Sequence, residues 1–448
     1  MYEKEKKEKN KNLEFLENNR NKMEVGGDNM KRISMLVVCA LLMLTLFHLN
    51  LDALQAYQPK KPLQIFVTDP KTSGHEKQLL EKVKQVRGGK IENDGKFSVH
   101  VKDHFTPTDQ AQYDAFVFKE KDVTPTLKKS IQTLVTKGKI VYLYGTSVSS
   151  EKAASIFGVP FETTSLTKEQ IRKELKESGY KEGKQLEEEV IKEMNAQHET
   201  YNVVGVIQSK KGTKQLYVAD IQQDKKDPAL STNDTSFFVD LIIDNVNHQH
   251  LKSTSIFSGN QVKAGSEPIV KSWVNKNSTL YIGSKKVATL NADYYLQKDN
   301  DERDKKRDYF VLQSNMELIN YNGARNQRLH VKHDVPLTTS ELQDWDPRGK
   351  TGSSFSVSLP WGISWNFNTG ARVKVTDYAS TTYDYATWLV SRSLFSLNLP
   401  SPVEFRPGSA WTSTGTYAAV NVDSYGEVAY KGADRKITQF LKLRYDYK

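Results

Sequence analysis

The sequence predicts an α+β multidomain protein, with an N-terminal α/β layer on a small parallel sheet and a C-terminal antiparallel β-sandwich. Three observations carry this. Between Leu63 and Gly158 short apolar runs alternate with helical patterns. From about Thr279 onward the apolar period changes from 3.6 to 2. Roughly 390 residues follow the leader, which a prior of about 150 residues per domain divides into two or three.

Residues 1–29 (MYEKEKKEKNKNLEFLENNRNKMEVGGDN) are almost wholly charged or amide and have no apolar period, so they read as a disordered leader. Gly26-Gly27-Asp28 can be encoded by a purine-rich ribosome-binding sequence just before Met30. That makes Met30 an alternative initiator in a bacterial cell, with residues 1–29 then untranslated. Residues 30–56 read as a signal peptide: Met30-Lys31-Arg32 is the basic start, Ile33–Leu51 is uncharged, and small Ala56 precedes Tyr57 at the cleavage point. The alternative is a membrane anchor at 33–51, since a run of this length approaches the roughly 18 residues at which spanning begins. Cleavage implies a secreted, extracellular protein. The single cysteine, Cys39, lies inside the apolar run, so the exported chain is disulfide-free and depends on packing for stability.

The chain carries a net charge of +10, and residues 1–56 contribute 9 basic and 8 acidic side chains, so export hardly changes the balance. A modest basic excess suits an acidic cell-wall polymer or a membrane surface, and also falls within the range of ordinary soluble proteins.

Residues 57–250 form the expected α/β domain. LQIFVT (63–68) precedes HEKQLLEKVKQV, and FSVHV (97–101) follows a Gly-rich turn. YDAFVF (113–118) precedes a helix capped by Thr124, started by Pro125 and stopped by Gly138. KIVYLYG (139–145) leads into SSEKAASIFG. Four strand–helix units of this kind imply parallel strands covered by helices. In this alternation the layer resembles flavodoxin- and amidotransferase-type sheets; the signature residues of both families are absent, so no site residue carries over. Ligands bind such sheets at the carboxyl ends of the strands. The first of these loops, Asp69–His75, lacks both the Walker pattern and GxGxxG. Gly145–Ser149 stands where a nucleophile elbow would, but it is not GxSxG. The sequence therefore gives no catalytic residue and no cofactor site, and leans away from an enzyme.

Residues 166–197 form a charged helical stretch interrupted by Gly179 and Gly183. Glu and Lys recur three or four apart, the mark of a solvated helix rather than a nucleic-acid surface. YNVVGVIQ and KQLYVADIQ flank a hairpin signal at 209–213. Apolar residues at 237, 238, 241, 242 and 246 make one face of a helix. Residues 251–278 read as a linker and 279–448 as the β-sandwich domain, its strands rich in Tyr, Val, Thr and Phe between Gly, Asn, Asp and Pro.

FSVSLPWGISWNFN (355–368) puts an apolar side chain at every odd position. A three-residue loop at Pro360-Trp361-Gly362 keeps that parity across a hairpin, whereas a two-residue loop would reverse it. Pro presets the first turn position and Gly suits a left-handed third one. The predicted pairs are Leu359 with Ile363, Val357 with Trp365 and Phe355 with Phe367, all on one face. The arms are then about seven residues each, short of the roughly 9–11 of a transmembrane strand. Trp361 is left alone at the tip and is the candidate contact with a partner or membrane. The alternative is one unbroken 13-residue strand, long enough to cross a bilayer.

Other constellations are weaker. Lys298–Arg307 mixes cations with carboxylates and lacks the EF-hand spacing, so it reads as a solvated hairpin loop. His330 and His333 fall on opposite strand faces, which rules against a shared metal, and no other metal set emerges. His248-Gln249-His250 reads as a helix C-terminal cap. Trp345–Gly349 and Arg406-Pro407-Gly408 read as turns. Tyr294, Tyr295, Tyr383, Tyr385, Tyr417, Tyr425, Tyr445 and Tyr447 suit carbohydrate or protein recognition, and equally ordinary strand composition.

Three function classes follow. The first is a secreted bacterial, non-catalytic binding protein whose partner is a cell-surface polymer or protein. The second is a β-pore-forming toxin using amphipathic strands around 355–377, with a membrane as partner. The third is an extracellular hydrolase with dispersed carboxylates.

Overall fold

A computed structural model describes residues 62–71, 73–89, 91, 97–159, 168–177, 180–197, 200–208, 214–223, 234–255, 269–299, 304, 306–393 and 398–447. The leader, the signal-peptide or anchor segment, and residues 256–268 of the expected linker lie outside them. Leu63–Lys448 form one compact unit.

The chain opens with β1 (Leu63–Thr68), α1 (Glu76–Val86), β2 (Phe97–Lys102), α2 (Asp109–Gln112), β3 (Ala115–Lys119), α3 (Pro125–Thr136), β4 (Ile140–Ser149) and α4 (Ser150–Phe157). The capping signals at Thr124 and Gly138 are realised, and Ser149 adds a cap beyond those predicted. Thr124 Oγ1 accepts the Leu127 N–H at 3.2 Å, Ser149 Oγ accepts that of Lys152 at 3.1 Å, and Gly138 has φ of +75°. The strands lie parallel in the order β2-β1-β3-β4. Then come α5 (Lys168–Glu177) and α6 (Lys184–Gln197), which pack on each other through Ile171, Leu186 and Val190. Outside that small core Arg172 bonds Glu187 at 2.8 Å.

β5 (Thr200–Gln208) and β6 (Lys214–Gln223) add antiparallel strands beside β4, and α7 (Thr235–Ser255) follows. Phe237, Phe238, Leu241, Ile242 and Val246 of α7 are buried, as their spacing predicts. The helix runs through His248–His250, so these residues belong to its body and not to a cap.

The remaining strands are β7 (Ile269–Ile282), β8 (Lys285–Asp299), β9 (Asp308–Asn320), β10 (Arg325–Asp334), β11 (Ser340–Asp346), β12 (Lys350–Ser358), β13 (Ser364–Ser380), β14 (Tyr385–Arg392), β15 (Val403–Phe405), β16 (Gly408–Ser413), β17 (Tyr417–Tyr430) and β18 (Ala433–Asp446). They fall into two sheets. One is mixed and 12-stranded, in the order β11-β16-β9-β8-β7-β6-β5-β4-β3-β1-β2 with β15 also on β9; the other is antiparallel and six-stranded, β12-β13-β14-β10-β17-β18.

This corrects the expected fold class. The chain is mostly β, 55% strand against 22% helix, and the flavodoxin-like layer does not stand apart. β6 pairs with β7 in parallel, so the helix-covered strands run on into those of the sandwich. Short-range periodicity cannot reveal that junction, because the pairing is set by residues some 60 positions apart. Gly145–Ser149, which lacks the elbow pattern, lies within β4, where pairing with β5 shifts register between Tyr144 and Val148. Helices α1 and α7 cover one face of the parallel strands and α3 and α4 the other. The six-stranded sheet covers one face of β7–β9 and their neighbours, enclosing the largest apolar core.

Where these regions meet, two cations and two carboxylates are buried together: Arg87 after α1, Asp240 and Asp244 one turn apart on α7, and Lys286 at the start of β8. Arg87 donates to Asp240 Oδ1, to the Asp240 carbonyl at 2.9 Å and to Asp244 Oδ1 at 2.6 Å. Lys286 Nζ donates to Asp240 Oδ2 at 3.2 Å and to Asp244 Oδ2; the Tyr281 hydroxyl donates to Asp240 Oδ2 at 2.6 Å. Burial pushes the Asp240 carboxyl up, but Arg87, Lys286 and Tyr281 together outweigh it and hold the group below its ordinary value. Asn322 closes the arrangement, donating to the carbonyls of Val86 at 2.9 Å and Lys286 at 2.7 Å. A Cβ on Gly88 (φ +84°) would come within 2.3 Å of Asn322 Oδ1.

Removing one member strands a buried charge, so Asp240→Asn is expected to destabilise the protein by about 3–5 kcal/mol in urea unfolding. Replacing all four by apolar residues is expected to cost far less than the sum of single changes.

Candidate functional site

The hairpin at 350–375 forms as the parity predicts. Phe355 pairs with Phe367 and Val357 with Trp365, and the Leu359 N–H donates to the Ile363 carbonyl at 2.9 Å. All six apolar side chains are buried. Phe355 stacks on Phe367 at 5.3 Å, Phe367 meets Phe405 edge-on at 5.7 Å, and the Trp365 indole donates to the Arg406 carbonyl at 2.9 Å. The unbroken strand is thereby ruled out. The arms are longer than expected, however: β12 has 9 residues and β13 has 17.

Gly362 takes the predicted left-handed position with φ of +79°, but Trp361 is left-handed as well, at +67°. For a bulky L-residue that costs about 1–2 kcal/mol. Trp361 is not isolated at the tip. It is half-buried and meets Tyr309 of β9 edge-on at 5.1 Å, a contact that offsets part of the cost.

The outward side of the hairpin is Ser354, Ser356, Ser358, Ser364, Asn366 and Asn368, all exposed. No Asp, Glu, Lys or Arg occurs from Thr351 to Ala371, in a chain that is 26% charged. This uncharged side is legible in the sequence, where every even position from Ser356 to Asn366 is Ser, Pro, Gly or Asn. β12 is also an edge strand of its sheet.

Beyond the hairpin, the outward side of the same sheet changes character. Register aligns Lys374 (β13), Ser391 (β14), Arg328 (β10), Glu427 (β17) and Lys436 (β18) in one line. Strands lie about 4.8 Å apart, so Lys374, Arg328 and Lys436 recur at intervals of about 10 Å. The adjoining line holds His330 opposite Tyr425, stacked at 4.5 Å, with Lys436 Nζ 3.7 Å from the Tyr425 ring centroid. Next to it Lys332 lies 5.0 Å from the Tyr385 ring. Arg372 and Lys442 widen the basic area, while Glu427 and Asp334 partly neutralise it through Arg328 at 3.5 Å and Lys332 at 3.3 Å, as does Asp423 opposite Lys332. Burial, then Lys436 and Lys332, push the His330 imidazole down to about 4. The ring thus stays neutral at ordinary pH inside a positively charged neighbourhood.

His333 faces the other way, into the core. Of the singled-out tyrosines, Tyr425 and Tyr385 join this outer face, Tyr294 is buried and Tyr383 is 74% exposed at a turn. In the loops at the ends of the parallel strands, Asp69 accepts the Thr235 hydroxyl at 2.6 Å, so its carboxylate is engaged inside the fold. β8 and β9 pair antiparallel, and Lys298 bonds Asp308 at 2.9 Å; residues 300–303 and 305 of the expected solvated loop lie outside the described residues. Among the described residues no group of three or more His, Cys, Asp or Glu is placed to hold a metal, and no helix is long and apolar enough to cross a membrane.

No protein-family model matches the sequence, and no curated protein matches it. Among solved structures the chain is similar to Clostridium perfringens delta-toxin, at TM-score 0.26 and 8% identity over 38% of this chain and 89% of that one. A pore-forming protein gives 0.24 and 8%, over 40% and 93%. The collagen-binding domain of a Staphylococcus aureus adhesin gives 0.20 and 10%, over 34% and 95%. Likeness at this level carries no functional argument.

The hairpin's seat is tight. A Cβ on Gly408 of β16 would lie 2.3 Å from Trp365 Cη2 and 2.9 Å from Leu359 Cδ1. Gly408→Ala is therefore expected to destabilise the protein by about 1–3 kcal/mol. Hydrogen exchange should then accelerate at 354–368 well before it does along β17.

Proposed function

We propose that this chain is an exported, non-catalytic protein that binds an acidic polymer at a cell surface through the outer face of its six-stranded sheet. The observation that carries the reading is the line Lys374–Arg328–Lys436 beside the His330–Tyr425 stack. Cations spaced along a rigid sheet meet repeating anionic groups without reorganisation, and a flat ring offers a stacking surface for sugar or other planar units. Export rests on the basic, apolar and small-residue order of 30–56.

Binding of poly(glycerol phosphate) and dextran sulfate, with neutral dextran as control, tests this by calorimetry at two salt concentrations. Retention of both polyanions that weakens with salt supports it. Each cation near an anionic surface contributes about 1 kcal/mol, so Lys374→Ala with Lys436→Ala is expected to weaken binding by about 30-fold. Equal binding of the neutral polymer, or no response to the double change, would overturn it.

A second reading, membrane insertion as a β-pore, is favoured by one observation: the edge hairpin that alternates apolar with small uncharged polar residues from Phe355 to Phe367, within a stretch uncharged from Thr351 to Ala371. Apolar residues toward lipid and polar ones toward a lumen is the alternation a membrane barrel requires. Dye release from anionic liposomes by the purified exported protein decides it; liposomes that stay sealed at micromolar protein remove it.

A further inference from the structure

His333 is buried between the two sheets with nothing exposed. It belongs to β10 of the six-stranded sheet, yet both ring nitrogens bond across to the mixed sheet: Nε2 with Ser314 Oγ of β9 at 2.7 Å and Nδ1 with Ser409 Oγ of β16 at 2.8 Å. Trp388 of β14 meets the ring edge-on at 5.0 Å. Through this pair of bonds, a polar bridge spans an otherwise apolar interior.

The surroundings decide what a proton would do there. On its own strand Lys332 and Asp334 point to the outer face, as does His330. On β17 its partner is Val422, with Asp423 turned outward; on β14 its partner is Ala386, with Tyr385 and Thr387 turned outward. From β9 and β16 it meets the two serines, beside Leu312 and Trp411, and β8 contributes the Tyr294 phenol opposite Ser314. No carboxylate among the described residues faces the imidazole. A charge formed there would lack both water and a counter-ion, the costliest setting for a buried ion.

We propose that His333 is an acid-sensitive clamp between the two sheets: neutral, it ties them together, and because the ring takes up a proton only once they part, acid favours the opened form. The release would loosen the sheet that carries both the basic face and the edge hairpin, so an acidic surface or compartment would switch the protein from a closed to an opened form.

The sign follows from linkage. Burial holds the folded imidazole down at about 3 against an ordinary value of 6.5. The unfolded or opened chain therefore takes up the proton first. The stability tied to the neutral ring is fully present above about pH 6.5 and is lost progressively as pH falls toward 3. Between pH 7 and pH 5 this single group lowers the folding equilibrium constant by about 25-fold.

The test compares wild type with His333→Gln, which keeps polar atoms and cannot ionise. Urea unfolding at pH 7 and pH 5 reads the pH slope, so a lower absolute stability of the variant does not obscure the result. The expected outcome is that the variant loses about 25-fold less between the two pH values than wild type does. Its dye-binding transition on acidification, which reports opened apolar surface, should also move to lower pH. If His333→Gln fails to fold, ring chemical shifts of isotope-labelled histidine in the wild-type protein give the answer. His333 should stay neutral in the folded form below pH 5 and titrate only as the fold opens. Equal pH slopes in wild type and variant, or protonation of His333 within an intact fold above pH 5, would overturn the proposal.

Discussion

The quartet of Arg87, Lys286, Asp240 and Asp244 is the constraint on which the rest of the structure depends. Four ionised groups removed from water survive only because each carboxylate oxygen and most guanidinium and ammonium protons are engaged, and because the charges balance. The groups come from a helix end, a second helix and a strand start far apart in the chain. Their geometry therefore fixes where α1 and α7 lie against β7 and β8. Nonpolar packing alone would tolerate sliding here; paired charges with a definite fork geometry do not. Asn322 and Gly88 lock the same junction from the backbone side.

From that fixed junction the long mixed sheet extends in both directions, serving two kinds of cover. Helices need wide, aliphatic faces, and the parallel strands supply Val, Ile, Phe and Tyr on both sides. The antiparallel strands present an apolar side only toward the second sheet. Their Asn277, Thr279, Thr289 and Asn291 are joined by hydrogen bonds along the opposite side, from Asn277–Asn291 at 2.7 Å to Asn291–Glu317 at 3.0 Å. A buried polar ladder of this kind costs little because each member bonds its neighbour.

Much of this was legible in the sequence. Local signals carried the helix cap at Thr124, the apolar stripe of α7 and the odd-number parity of the hairpin, because each is fixed within a turn or two of the chain. What escaped depends on register between distant strands. Nothing near Val218 announces that β6 will pair with β7, so the two halves read as separate bodies. Likewise Lys374, Arg328 and Lys436 carry no shared motif; strand pairing alone sets them in line. Asp240 and Asp244 meet partners at 87 and 286 that cannot be inferred from spacing. The left-handed backbone at Trp361 also ran against residue preference, and the neighbouring Tyr309 ring supplies its compensation.

The six-stranded sheet combines two outer surfaces of opposite character, one basic and aromatic, the other small, polar and uncharged. Charge is affordable on strands whose edges are covered: β18 is fastened to the mixed sheet by Gln439, which donates to the carbonyls of Lys276 at 3.1 Å and Leu290 at 2.6 Å. At the other end β12 is an edge, and its serines neither repel a close neighbour nor demand a counter-ion. An edge usually carries charge or a proline to discourage pairing with other chains. Here the Asp346 carboxylate instead accepts the Ser358 N–H at 2.8 Å, and the twist introduced by the irregular register at Gly352 turns the strand's start away. The edge is thus blunted by local geometry, and the stretch from Thr351 to Ala371 stays uncharged.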